Sequence, residues 1–426
     1  MFEQFTRQNY STSIHPSRMQ ELIGCYERAL RDVGEEGAIH EGLMGFEILI
    51  VGPKPEVSAQ IPLNDICRQY YATEKAGRHA LLMQHASSVK SRLGRTYPER
   101  SLEDISPALR PILLHESHLH LRRLEFQSLG ADVSGYFPVV GKPWMSELNL
   151  WLIEITSKEG DVRFIQEDEL RRWGADIDAV VDRAVENAGQ LPSLQWRPGA
   201  PFNVFEDDPV LISAMLLGAS QRTRLAGYAV LPLTDASMIM VRYSQRRARG
   251  SVEAMRSLPQ HLMELGLGPG SCFSGEPLVL HKQQWKAFDL PEACAQAYDD
   301  LKRYIRLERY RLQEKFLIRL VDLQNRNDPQ GCAERAMPAP IRTRELSAER
   351  HLLVANWPRS GSVLLPEVDV VTFMNTESDG DSRPRTVRWP TLLRHAAGLL
   401  AETSGYPRRW RTQGYPSEEQ FSRMGV

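Results

Sequence analysis

The fold class of this chain follows from residues 148–174, which read LNLWLIEITSKEGDVRFIQEDELRRWG. The apolar residues of 148–155 predict a β-strand, SKEGD predicts a hairpin turn, and 162–165 predict the return strand. A short helix over Leu170 and Trp173 is expected next, and Gly174 is expected to end it. A second helix follows, because the apolar residues between 177 and 188 share one helical face. The unit is therefore strand, turn, strand, helix.

The same order of elements recurs three more times, beginning near residues 46, 228 and 362. The pattern predicts an α+β fold with repeated strand-turn-strand-helix units. These units would form small, mostly antiparallel sheets with helices packed on them. A long helix, whose apolar stripe runs from Leu301 to Leu323, and a small C-terminal α+β domain are expected as well.

The third and fourth units align without a gap. Their identical pairs are Leu231 and Leu365, Pro232 and Pro366, Asp235 and Asp369, and Met240 and Met374. This alignment suggests an internal repeat. The alternative is a chance match, because strand-turn-strand-helix is a common order of elements and short motifs match by accident.

Composition shifts along the chain suggest five segments. An N-terminal α+β region would contain helices rich in His and Arg, and a central α+β domain would contain two of the units. The long amphipathic helix, a linker with three prolines and the C-terminal α+β domain would follow. The predicted bounds are 1–130, 131–292, 293–326, 327–345 and 346–426.

The composition excludes several classes of protein. Lys and Arg number 52 against 54 Asp and Glu, so the net charge of −2 gives no reason to expect nucleic acid or a membrane as partner. No apolar run approaches the roughly 18 residues of a membrane-spanning helix, and the first residues lack the apolar segment of a secretory signal. Five widely spaced cysteines without a C-x-x-C motif predict reduced thiols in the cytoplasm.

One cluster has side chains suited to metal binding. The sequence HESHLH contributes the candidate ligands His115, Glu116, His118 and His120. On a helix, His115 and His118 would share a face. The zinc-protease pattern is not met, because Leu119 occupies the position of its second histidine. The alternative is a solvent-facing helix flanked by arginines.

A second candidate lies on the long helix, where basic and aromatic residues alternate. The candidates for binding nucleic acid or a protein partner are Arg303, Arg306, Tyr310, Arg311 and Lys315. Basic residues with interleaved aromatics can hold phosphates and stack on bases. The favoured interpretation is a solvated helix face whose charge is tempered by Glu308 and Glu314.

Several segments resemble the uncharacterised bacterial family called domain of unknown function 1444. They are LWLIEITSKEGDVRFIQEDELRRWG (150–174), AVENAGQL (184–191), VFEDDPVLISAMLL (204–217), AVLPLTD (229–235), IPLNDICRQYYA (61–72) and YFPVVGKP (136–143). The resemblance covers about residues 40–290. It implies an α+β scaffold in a bacterial cytosolic protein. It implies no activity and no catalytic residues, because none is established for the family.

These observations predict a cytosolic bacterial binding or adaptor protein without catalytic activity. A protein partner is expected, a homo-oligomer stays open, and neither a cofactor nor a membrane partner is expected. Two alternatives stay open: a metal-dependent hydrolase that uses the HESHLH cluster, and nucleic-acid binding through the basic helix.

Overall fold

The protein is described from a computed structural model. The described residues are 16–52, 59–93, 99–133, 139–156, 162–191, 202–206, 209–218, 225–234, 237–243, 248–265, 274–331, 335–347, 350–374 and 384–426. Contacts divide the chain into two compact units. The first comprises Met1–Pro98 and Leu129–Gly135, and the second comprises Glu99–Ser128 and Tyr136–Val426.

In the described part of the first unit, three helices and one small sheet pack around an apolar core. Its elements are α1 (Pro16–Asp32), β1 (Ala38–Glu41), β2 (Glu47–Val51), β3 (Ala59–Pro62), α2 (Asn64–Ala72) and α3 (Lys75–Arg92). The strands form an antiparallel sheet in the order β1-β2-β3. Strand β2 is buried along its whole length because it is central, and Ile48 and Ile50 pack with Tyr26 and Leu30 of α1.

The second unit begins with a mixed α+β region that ends in the long helix. Its elements are α4 (Leu102–Ile105), β4 (Leu109–His115), α5 (Glu116–Ser128), β5 (Gly141–Met145), β6 (Leu148–Ile155), β7 (Val162–Phe164), α6 (Glu167–Trp173), α7 (Ile177–Gly189), β8 (Phe202–Glu206), α8 (Pro209–Leu217), β9 (Tyr228–Thr234), β10 (Ser237–Arg242), α9 (Ala248–Leu265), β11 (Leu278–His281), β12 (Gln284–Ala287) and α10 (Glu292–Asn327).

The described residues of the C-terminal region form two sheets and two short α-helices. Its elements are β13 (Met337–Pro338), β14 (Ile341–Ser347), β15 (Arg350–Pro358), β16 (Val363–Pro366), β17 (Val370–Met374), β18 (Arg385–Arg388), α11 (Trp389–Ala396), β19 (Leu400–Glu402), β20 (Arg409–Thr412) and α12 (Glu418–Met424).

The sheets of the second unit are small and mostly antiparallel. Their strand orders are β4-β6-β5 with β7 on β6, β12-β11-β9-β10-β8, β13-β16-β20-β19, and β14-β15-β17-β18. Within the described chain, only the pairs β13–β16 and β15–β17 are parallel. The predicted α+β class, with its long helix and C-terminal strands and helices, is therefore confirmed. Among the described residues, no helix combines the length and the apolar character needed to cross a membrane.

The predicted strand-turn-strand-helix units are confirmed in part. Strands β6 and β7 pair antiparallel and lead into α6 and α7, as predicted. Gly174 ends α6 in the left-handed conformation that glycine adopts without strain. The aligned third and fourth units do not have the same structure. Strands β9 and β10 form one hairpin, whereas β16 and β17 belong to different sheets. Asp235 lies outside the described residues.

Residues 109–115 form a strand within the N-terminal region in which the sequence predicts helices rich in His and Arg. LRPILLH forms β4, an edge strand on β6, where Pro111 is tolerated. The hydroxyl of Ser213 in α8 accepts a 2.9 Å hydrogen bond from the Leu113 N–H. A side chain from a distant helix therefore satisfies a backbone donor of this strand.

The division into units differs from the predicted segments. The predicted boundary at residue 130 does not separate the two units, because β4 and α5 lie before it and belong to the second unit. The long helix agrees with prediction to within one residue at each end. The predicted linker at 327–345 is corrected, since β13 and most of β14 lie within it. Pro338 is tolerated in β13 because proline has no N–H, and on an edge strand this position needs no hydrogen-bond donor.

Candidate functional site

The HESHLH segment spans the junction between β4 and α5. His115 is the last residue of β4, and α5 begins at the next residue. The N–H of Ser117 donates a 3.0 Å hydrogen bond to His115 Nδ1. The imidazole therefore satisfies one of the donors that a helix N-terminus leaves without an intrahelical partner. Because Nδ1 accepts, the proton of the neutral ring is assigned to Nε2.

Four further groups complete what we call the His115 cluster, which consists of His115, Ser117, Glu147, Arg309 and Tyr406. His115 Nε2 donates to Glu147 Oε2 at 2.7 Å, and Tyr406 donates to Glu147 Oε1 at 3.0 Å. Arg309 Nη1 lies 2.7 Å from His115 Nε2 and 3.7 Å from Glu147 Oε2. Since a guanidinium can only donate and Nε2 carries the proton, we assign the attraction of Arg309 to the Glu147 carboxylate.

The electrostatics of the cluster keep His115 neutral and Glu147 ionised. Burial and the positive charge of Arg309 lower the pKa of His115 to about 4, although its bond to Glu147 acts in the opposite direction. Burial alone would raise the pKa of Glu147, but the His115 and Tyr406 hydrogen bonds and the Arg309 charge lower it to about 2. Burial and the Glu147 charge raise the pKa of Tyr406. At neutral pH the cluster therefore contains the ion pair of Arg309 and Glu147. Neutral His115 and neutral Tyr406 both donate hydrogen bonds to the Glu147 carboxylate.

Ser117, His115 and Glu147 have the connectivity of a hydrolytic triad. Ser117 Oγ lies 2.9 Å from His115 Nδ1, and Nε2 donates to the carboxylate. A nucleophile must reach a substrate, however, and Ser117 is 2% exposed and His115 0% exposed. The half-exposed side chain of Glu147 is the accessible part of these three residues. The cluster therefore joins elements: β4, the β5–β6 turn, α10 and the loop before β20.

The four predicted metal ligands do not form one ligand set. Both ring nitrogens of His115 are hydrogen bonded within the cluster, and His115 is not on the helix as predicted. Glu116 and His118 are partly exposed on α5, and His120 is exposed. Within the described ranges, no group of three or more His, Cys, Asp or Glu residues could hold a metal ion.

The predicted basic surface of α10 is divided by burial. Tyr310 is 2% exposed, so the prediction that it could stack on a base is wrong. Its hydroxyl donates to the Arg408 carbonyl at 2.7 Å and accepts from the Glu367 N–H at 3.0 Å. Burial raises its pKa to about 12, so it remains a donor.

The remaining residues of that prediction stay near the surface. Arg303 pairs with Asp300 at 3.3 Å, and Arg311 pairs with Glu308 at 2.8 Å. Arg306 and Lys315 are exposed. Pairs three residues apart on an exposed helix reduce the net positive potential of that face.

Next to the Tyr310 ring, the buried guanidinium of Arg409 links α10 to the C-terminal sheets. Arg409 of β20 is 1% exposed and donates to Gln313 Oε1 at 2.7 Å and to the Leu364 carbonyl at 2.8 Å. It also donates to the Ala339 carbonyl at 3.1 Å. Burial lowers the pKa of Arg409 to about 10, so it stays charged at neutral pH. Its charge is dispersed over carbonyl and amide oxygens.

The sheet β14-β15-β17-β18 has one face on the apolar core and one face away from it. Trp357 and Phe373 point into the core. Because side chains alternate along a strand, their neighbours point the other way. We call the second side the outer face. Its described positions are Arg342, Arg344, Leu352, Val354, Asn356, Pro358, Val370, Thr372, Met374, Thr386 and Arg388. All of them are exposed or partly exposed.

Comparison of the chain with protein-family models, curated proteins and solved structures finds no match. The resemblance to the domain of unknown function 1444 therefore stays a prediction.

Sequence reasoning missed the outer face. Arg342 and Arg344 have the period-two spacing of one strand face, which is a usable signal. They lie at the end of the predicted linker, where no strand is expected. Arg388 is brought into the same face only by the pairing of β18 with β17, which no local pattern indicates.

Proposed function

We propose that this chain is a cytosolic bacterial binding or adaptor protein without catalytic activity, and that it takes a protein partner on the outer face of the β14-β15-β17-β18 sheet. The observation that carries the proposal is the composition of that face. Val354 and Val370 remain partly exposed on the two central strands, with Arg342 and Arg388 on either side of them and the polar Asn356 and Thr372 in the next row. Partly exposed apolar side chains next to arginines are typical of a protein interface, where arginine is enriched.

The His115 cluster supports the non-catalytic part of the proposal. Its serine and histidine are buried, and their hydrogen bonds are used to cap α5 and to hold Glu147. The cytoplasmic setting is supported by the free thiols of Cys25, Cys67 and Cys294. A metal-dependent hydrolase and a nucleic-acid-binding protein remain the alternatives, and no specific feature of the described residues favours either.

The test is a quantitative pull-down from the native host with nuclease present. Thr372→Trp places a bulky side chain at the centre of the outer face. Gln284→Trp places the same side chain on β12, at an exposed position of another sheet. We expect a protein at near-stoichiometric yield with wild type and Gln284→Trp, and a loss of about tenfold or more with Thr372→Trp.

Two results would contradict the proposal. Equal recovery with Thr372→Trp would remove the outer face as the binding surface. The absence of any nuclease-resistant partner would remove the adaptor function. Circular dichroism of both tryptophan variants checks that each is folded.

A further inference from the structure

The outer face contains one complete row of side chains that crosses all four strands. In the strand register, Arg342 lies opposite Val354, Val354 opposite Val370, and Val370 opposite Arg388. The row therefore has two valines at its centre and an arginine at each end. Arg342 and Arg388 are both exposed, whereas the valines are half-buried.

The width of this row fits a helix. Neighbouring strands are about 4.8 Å apart, so the backbones that carry Arg342 and Arg388 are roughly 14 Å apart. An α-helix with its side chains is about 10–12 Å wide. A helix lying over β15 and β17 would place its apolar stripe on Val354 and Val370. Its two flanks would then lie beside the two arginines.

The charge of the face selects the partner. Arg342, Arg344 and Arg388 are exposed, and among the residues that the structure describes no ion pair with a carboxylate is formed by any of the three. The other polar positions of the outer face, Asn356 and Thr372 among them, are neutral, and no described outward position is acidic. The chain as a whole has a net charge of −2, so this cationic surface is a local feature. Complementary charge on the partner therefore means Asp and Glu.

Two other occupants fit less well. Single-stranded nucleic acid is held by aromatic side chains on which bases stack, and none of the described outward positions is aromatic. An extended peptide added along the edge strand β14 would lie beside Arg342 and Arg344 but would not reach Arg388 or the valines. A helix is the occupant that uses the whole row.

We propose that the outer face binds an acidic amphipathic helix of a partner protein, with the helix's apolar stripe on Val354 and Val370 and its carboxylates at Arg342 and Arg388. This inference rests on the proposed function and specifies the chemistry of the partner. It predicts a recognition mode in which a preformed sheet receives a helix, with apolar contact at the centre and ion pairs at both sides.

The test uses three fluorescent peptides of about 18 residues, or roughly five helical turns. Each has Leu along one face, and the flanks carry Glu, Gln or Lys. Anisotropy titrations with the full-length protein are expected to give binding of the Glu peptide at least about tenfold tighter than binding of the Gln or Lys peptides. The affinity for the Glu peptide should fall as salt is raised from about 50 to about 300 mM.

Charge-reversal variants define the site. The double variant Arg342→Glu/Arg388→Glu should lose binding of the Glu peptide by about tenfold or more and should prefer the Lys peptide. The control is Lys286→Glu/Arg319→Glu, which makes the same charge change at exposed positions on β12 and α10. The control should bind as wild type does.

Several results would overturn the inference. One is equal affinity for the Glu and Gln peptides, and another is no binding of the Glu peptide at about 1 mM, a concentration corresponding to only about 4 kcal/mol. A loss with Arg342→Glu but not with Arg388→Glu would indicate an added edge strand instead. Tighter binding of a dT oligonucleotide of about 15 nucleotides, lost in the same double variant, would indicate nucleic acid. The pull-down with Thr372→Trp is independent of peptide charge, so it can support the proposed function when this inference fails.

Discussion

His115 is a candidate metal ligand by residue type, but its hydrogen bonds in the structure give it a structural role. Its Nδ1 accepts from the Ser117 N–H, and its Nε2 donates to Glu147. Both nitrogens are thus used within the chain, and neither is directed at solvent. Imidazole is able to do this because its two nitrogens differ in role in the neutral form. The buried ring must remain neutral to keep this arrangement.

We expect acid to destabilise the protein through His115. Its folded pKa of about 4 lies below the ordinary value of 6.5, so the unfolded chain takes up a proton first. Stability is therefore complete above pH 6.5 and falls as the pH approaches 4, by up to about 3 kcal/mol. The lowered pKa of Glu147 acts in the same direction at more acidic pH, where stability present above 4.5 is lost towards 2.

Urea unfolding of wild type and His115→Gln across this pH range measures the effect. The glutamine variant should be less stable at neutral pH but should show a shallower loss below pH 6.5. His351→Gln, which changes an exposed histidine on β15, should keep the wild-type pH dependence. A wild-type curve that is flat between pH 6.5 and 4 would contradict the assigned neutral state.

At the scale of elements, side-chain caps stabilise the ends of short helices. Helix α12 has only two turns, and short helices are marginal without tertiary contacts. The Ser417 hydroxyl caps this helix by accepting a hydrogen bond from the Gln420 N–H. In return, Gln420 Oε1 accepts a hydrogen bond from the Ser417 N–H. Phe421 packs edge-on against Phe373 of β17 with 4.9 Å between ring centroids. The cap therefore helps to position the aromatic core of the C-terminal region.

Ser417→Ala should lower the free energy of unfolding by about 1 kcal/mol, because it removes the acceptor of the capping box. Ser422→Ala makes the same chemical change inside the same helix, at an exposed position. That control should change stability by less than about 0.5 kcal/mol. Chemical denaturation of both variants checks the difference, and equal effects would show that the capping bonds are not stabilising.

The elements that sequence predicts well are those defined by local patterns. The hairpin β6–β7, the helices α6 and α7 and the long helix α10 each follow from hydrophobic periodicity and a turn. Strand β4 was missed because LRPILLH is a short apolar run, and such runs do not distinguish helix from strand. The outer face was missed because its register depends on the parallel pairing of β15 with β17, which brings distant segments together.

The candidate site shows the same limit at the level of single side chains. HESHLH identified His115 by residue type, but Glu147, Arg309 and Tyr406 lie far from it in sequence. Arg309 lies among surface arginines of α10 and is nevertheless 4% exposed. A helical sequence pattern gives the face of each residue but not which neighbour covers it. Burial of a charge by distant elements cannot be derived from local spacing.

At the scale of the second unit, the His115 cluster ties its C-terminal region to the earlier sheet. Tyr406 lies in the loop before β20 and donates to Glu147 in the β5–β6 turn. His115 reaches the same carboxylate from β4. Groups that share one acceptor are energetically coupled, because the loss of one donor changes the charge balance for the other.

A double-mutant cycle with His115→Gln and Tyr406→Phe should therefore be non-additive, with a coupling free energy of at least about 0.5 kcal/mol. Denaturant unfolding of the two single variants and the double variant gives this value. The matched control pairs Tyr406→Phe with Ser422→Ala, which shares no partner with it, and should be additive. Additivity in the His115 pair would mean that the two donors hold Glu147 independently.

The contacts of α10 with the end of the chain have a consequence for synthesis on the ribosome. Tyr310 is fully packed only when its hydroxyl meets the Arg408 carbonyl, 98 residues later. At about 5–20 residues per second, the helix is made roughly 5–20 s before that partner emerges. Until Arg408 is made, Tyr310 lacks this acceptor, and the apolar residues around Leu307 and Tyr310 lack the part of their core that comes from later segments such as Phe421 and Met424. Apolar surface that is exposed in this way during synthesis is the kind of surface that promotes aggregation and that chaperones protect.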